Sequence, residues 1–164
     1  MTNKELKEKI ARLETELAEV KEVAEAMKKR ADGGVFMPKD EQEYWIIEDE
    51  GSVYMDLWDN HRVDRSRYEI GNCYPTKQAA EDAIRALKLT QKVRESQNGF
   101  VPDWENFEQT KNTLCFDMGE VLIMRYISGS IAPIFGFWEY ESVCEQFIHE
   151  NREDLLWYFT EYRR

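Results

Sequence analysis

Apolar side chains at Leu6, Ile10, Leu13, Leu17, Val20, Ala24, Met27 and Ala31 follow one another in alternating steps of four and three. That spacing is a coiled-coil seam, narrower than the stripe a helix needs to bury itself against a globular core. It predicts an oligomerisation helix over residues 1–32. With Ile10 and Leu17 at a positions and Leu6, Leu13, Val20 and Met27 at d positions, a parallel pair would set Lys9 against Glu14 and Glu16 against Lys21, both attractive. Ile10 between Leu6 and Leu13 favours two strands, which makes a homodimer the expected assembly. Leu17 at a with Val20 at d pulls the other way, and the seam is short and weakened by Ala24 and Ala31, so it should associate modestly by itself. The competing reading is a helix docked on its own domain.

Asp32, Gly33 and Gly34 stop this helix, with Pro38 close behind. The pattern then changes to short β-rich runs. Residues 43–59 predict a hairpin around a turn at Asp49, Glu50 and Gly51, and residues 67–70 a third short strand before a turn at Gly71 and Asn72. A helix should start at Lys77, with Thr76 as its N-cap and Ala80, Ala83, Ile84 and Leu87 on its apolar face, and run to about Arg94. Residues 95–102 are polar and read as a linker. Strands are expected at 113–116, 120–127 and 130–137, followed by a helix capped by Ser142 and interrupted near Asn151. The expected fold class is α+β: an N-terminal coiled-coil helix over 1–32, then two small antiparallel-sheet-plus-helix modules over 33–97 and 98–164. Gly71, Tyr74 and Ile84 recur at similar spacing as Gly136, Tyr140 and Ile148, so the modules read as a degenerate repeat.

Charge narrows the choice of partner. The chain of 164 residues has a net charge of -11, and the carboxylates gather outside the arm. Residues 1–31 hold eight Lys or Arg against seven Glu, whereas residues 101–164 hold five against twelve Asp or Glu. Such a field repels a polyanion, so direct nucleic-acid binding is not expected and a basic protein is. Cys73, Cys115 and Cys144 are odd in number and lack a C-x-x-C pair, which argues for a reducing cytosol and against a zinc site. No apolar run is long enough to span a membrane.

No reaction motif emerges. His61 and His149 stand alone, Ser128-Gly129-Ser130 lacks the nucleophile-elbow pattern, and no phosphate-binding glycine loop opens a helix. The carboxylates from Asp56 to Glu69 miss calcium-loop spacing because His61 occupies the place of the required glycine. The expectation is a non-enzymatic protein with no cofactor and no metal. Two features exceed a structural background. Large aromatics are dense, among them Tyr44, Trp45, Trp58, Tyr68 and Trp104. Adjacent strand residues face opposite sides, so Tyr44 and Trp45 cannot both enter one core. Arg62, Arg65 and Arg67 form a basic cluster after an acidic hairpin, read either as ion pairs with Asp59, Asp64 and Glu69 or as an anion pocket in which Trp58 or Tyr68 stacks a ligand. These eight residues are the candidate binding set.

The runs EYWIIEDEGSVYMDLWDN, RYEIGNCYPTKQAAEDAIRALK and ENREDLLWYF together resemble small accessory proteins encoded by bacteriophages and prophages, over most of residues 39–159. The resemblance implies a strand-rich, non-catalytic protein of the bacterial host cytosol. By analogy with such proteins it implies an inhibitor of host defence, of the anti-CRISPR type, acting on a basic nucleic-acid-binding protein. A nucleotide-signal sponge using the Arg and aromatic residues is the alternative.

Overall fold

The computed structural model describes residues 36–126 and 133–163, together with Lys9, Arg12 and Lys21. Those three arm residues are helical and exposed. The seam positions Leu6, Ile10, Leu13, Leu17, Val20 and Met27 lie outside the described residues. The fold is α+β, with two small antiparallel sheets and helices. It divides into two compact units, 1–81 and 82–164.

In the first unit, β1 (Glu43–Ile47) pairs antiparallel with β2 (Val53–Leu57), setting Tyr44 opposite Asp56 and Ile46 opposite Tyr54. The expected hairpin is present, and its turn closes through Gly51, whose φ of 80° a side chain would oppose. Strand alternation sends Tyr44 and Ile46 into a core with Trp58 and Cys73, against which Phe36 and Tyr68 pack. Residues 67–70 are not a third strand. They end a helix, α1 (Arg62–Glu69), because the Asp64 carboxylate accepts the His61 N–H at 3.0 Å and the Asp59 N–H at 3.3 Å, satisfying donors at the helix start. The place of a third strand is taken by Tyr74, which exchanges two backbone hydrogen bonds with Trp45 (2.9 and 2.8 Å), and by Asn72. The Asn72 amide donates to the Ile47 carbonyl and accepts the Ile47 N–H, both at 2.8 Å, imitating a strand backbone.

The long helix α2 (Lys77–Gln97) begins as expected, with Thr76 Oγ1 accepting the Ala79 N–H at 3.1 Å. It continues past Arg94 into the stretch read as a linker, and ends at Asn98 and Gly99, both at positive φ. The division between the units falls inside it.

In the second unit, β3 (Lys111–Asp117) and β4 (Glu120–Tyr126) form a hairpin around Met118 and Gly119, both at positive φ. After it come α3 (Glu141–Glu150), α4 (Arg152–Trp157) and one π-helical turn, Tyr158–Tyr162. The core joins Leu89 and Val93 of α2 to Leu114, Phe135, Trp138, Cys144, Phe147 and Leu155. Of the strand expected over 130–137, the part from 133 onward is a turn. Pro133 has no N–H to give a ladder and Gly136 sits at a φ of 72°, so among the described residues of this segment only Trp138 bridges to β3, at Asn112. Ser142 does not cap α3. The helix already begins at Glu141, with Tyr140 in the cap position and no side-chain bond there. Asn151 separates α3 from α4 as expected.

Each hairpin is followed by a residue bridging to its first strand and then by a helix, although α1 intervenes after the first hairpin. Tyr74 precedes Lys77 as Trp138 precedes Glu141. The counterpart of Tyr74 is therefore Trp138, not Tyr140.

Candidate binding surface

Four side chains tie α1 to the first hairpin. The Tyr44 hydroxyl donates to Asp64 Oδ1 at 2.7 Å and accepts from Arg67 Nη1 at 2.8 Å, while Arg67 Nη1 also reaches Asp56 Oδ2 at 2.6 Å. Burial pushes the Tyr44 phenol up to about 12, and the Asp64 acceptor adds to this. Burial alone would raise the Asp64 carboxyl as well, but bonds from Tyr44, Asp59 and His61 outweigh it and hold it below the ordinary carboxylate range. At neutral pH Asp64 is thus ionised while the Tyr44 phenol keeps the proton it donates. The network acts as a strut, since Arg67 Nη1 already serves both the Asp56 carboxylate and the Tyr44 phenol.

The candidate residues separate accordingly. Tyr44 and Trp58 are core, their rings edge-to-face at 5.8 Å, and Tyr68 meets Trp58 edge-on at 6.3 Å. Trp45 is half-buried on the opposite face of β1 from Tyr44, as strand geometry requires. Arg62 and Arg65 are exposed and have no ion pair among the described residues. Trp104, in the second unit, is 39% exposed and packs edge-on against Phe137 at 5.2 Å. Its ring also lies 5.4 Å from the ammonium of Lys111, a fully buried lysine that donates to the Asn106 and Gln109 carbonyls at 3.0 and 2.8 Å. Trp58 and Tyr68 stand with Tyr44 and Arg67, and Trp104 belongs to a separate cluster.

The hairpin of the first unit carries a different surface. Asp40, Glu41, Glu43, Glu48, Asp49 and Glu50 are all exposed, and Lys39 is the only Lys or Arg between residues 39 and 59. Beside these carboxylates Tyr54, Met55 and Leu57 stand 55%, 37% and 54% exposed on β2. Tyr54 counts among the dense aromatics of the sequence, but none of the three is in the candidate binding set. Their signal was an apolar strand without Lys or Pro, the residues that usually guard an edge. The roles of Asn72, Asp56 and Lys111 were not legible either, because their partners are fixed only by the fold. Among the described residues no group of three His, Cys, Asp or Glu side chains is placed to hold a metal ion, and no helix is long and apolar enough to cross a membrane.

Fold and surface together define an α+β chain of two hairpin-and-helix units with an acidic, partly apolar hairpin. In comparison with known proteins, no family model, no curated protein and no solved structure matches the chain.

Proposed function

We propose that the protein is a non-enzymatic binding protein that engages a basic, nucleic-acid-binding protein through its acidic surface. The observation that carries this reading is the cluster of exposed carboxylates from Asp40 to Glu50, which has no Lys or Arg within it, Lys39 just before it and apolar side chains beside it. A cationic surface that ordinarily holds phosphates is the complementary shape of charge. The resemblance of residues 39–159 to phage accessory proteins supports a host defence effector as that partner, in the bacterial cytosol. The heptad from Leu6 to Met27 supports a parallel homodimer, which would present the acidic hairpin twice and raise avidity.

The test is capture by the full chain from a bacterial lysate. A basic nucleic-acid-binding protein should be recovered, with an affinity that falls as salt rises. Salt-insensitive capture of an acidic partner would overturn the reading.

A further inference from the structure

Among the described residues the backbone of β2 is unpaired along one edge. Trp45 spends its N–H and C=O on Tyr74, and Ile47 spends both on the Asn72 amide, so these two residues of β1 face away from β2. In an antiparallel ladder the residues opposite such positions also point their backbone groups outward. Those are Met55 opposite Trp45, Val53 opposite Ile47 and Leu57 opposite Glu43. Among the described residues β2 pairs only with β1. The N–H and C=O of Val53 and Met55 and the C=O of Leu57 are therefore presented to the outside, while the Leu57 N–H is held by Asp56 Oδ1 at 2.9 Å. The opposite edge is closed: on β1, Tyr74 and Asn72 do the covering.

The side chains of Val53, Met55 and Leu57 share a sheet face with Trp45 and Ile47, away from the Tyr44 and Ile46 core. Natural edges are guarded by charged side chains, proline or a bulge; β2 has no lysine or proline, and its one charge, Asp56, lies opposite Tyr44 and is paired with Arg67. We propose that this edge takes up an extended, cationic segment of a protein partner as an added strand. Main-chain bonds to Val53, Met55 and Leu57 fix it, apolar side chains at alternate positions rest on Met55 and Leu57, and Lys or Arg at the others meet the carboxylates of the hairpin. Charge selects this occupant over a second copy of the chain, because two copies would bring the same carboxylate-rich hairpins edge to edge. The inference rests on the proposed function and deepens it by naming the partner's form.

The test uses the full chain and a synthetic peptide of alternating lysine and valine. A lysine–glycine peptide of equal length and charge, poor at forming strands, is the control. The Lys–Val peptide should bind more tightly than the control and slow hydrogen exchange at the Val53 and Met55 amides. Met55→Pro removes an outward N–H without touching the β1 ladder, and should weaken the Lys–Val complex about tenfold; Met55→Lys, which retains the N–H but adds an edge charge, is a second variant whose fold is checked by circular dichroism and which should weaken it as well. Equal binding of both peptides, with Val53 and Met55 exchange unchanged, would overturn strand addition while leaving the acidic-surface reading intact. Binding of neither peptide, together with no salt-sensitive capture of a basic protein, would overturn both. Self-association of the free chain that Met55→Pro abolishes would assign the edge to a second copy and overturn the proposal.

Discussion

Single side chains in this protein are held by partners far along the chain. Tyr44, Asp56, Asp64 and Arg67 form a strut whose Tyr44 and Asp64 are buried, and replacing Tyr44 by Phe would leave Asp64 and Arg67 short of a bond, lowering stability by about 1–3 kcal/mol in urea unfolding. The strut also sets a pH dependence, shared with Asp154. Burial would raise Asp154, but hydrogen bonds from Arg85 (2.9 Å) and Lys92 (3.3 Å) hold it below its ordinary value, as Asp64 is held. A depressed folded pKa means that the unfolded chain takes up the proton first. The stabilisation is complete above the unfolded carboxylate pKa of about 3.9 and is lost as pH falls through the folded values. Melting temperature should therefore drop on acidification below about pH 4, and Asp154→Asn should flatten that drop. The cysteines behave according to burial: it pushes Cys73 up to about 11 and Cys144 up to about 12, whereas Cys115 is half-buried. Alkylation of the folded protein at pH 8 should mark Cys115 alone, with Cys73 and Cys144 reacting only after unfolding, as read by peptide mass spectrometry.

Elements were legible where local pattern and tertiary demand agree. The two hairpins could be read from alternating residues and from Gly51 and Gly119, and the start of α2 from Thr76. Helix α1 could not, because Arg67, Tyr68 and Ile70 look strand-like in isolation. The bonds from the Asp59 and His61 amides to Asp64 are local, but those from Arg67 to Tyr44 and Asp56, which tie the helix to the hairpin, join residues whose proximity only the fold creates. The same holds for Asn72. As a turn residue it is ordinary, but its amide stands in for a strand against Ile47, and Asn72→Leu should lower stability by about 1–3 kcal/mol by leaving that N–H and C=O unpaired. Urea unfolding measures this directly. The candidate site was half legible for a similar reason: an aromatic-and-arginine count cannot show that Trp58 is core and that Arg67 is already bound. The open β2 edge depends on what covers its neighbour.

At the scale of the molecule, charge and valency carry the functional account. Residues 1–31 are nearly neutral while the described units carry most of the carboxylates, and the proposed function assigns the joining of copies to the arm and the meeting with a cationic partner to the units. A chain lacking residues 1–34 should keep the circular dichroism of the α+β units, fall to a monomer by light scattering, and bind a multivalent basic partner more weakly through lost avidity. Retention of the original mass would transfer self-association to the units.

The most direct measurement is competition: a captured basic host protein loaded with its nucleic acid is titrated with the full chain at low and high salt, beside a variant carrying Glu48→Lys, Asp49→Lys and Glu50→Lys. The account predicts that the wild-type chain displaces the nucleic acid, less effectively as salt rises, and that the variant does not. Displacement by the variant equal to that of the wild type, or displacement indifferent to salt, would contradict it.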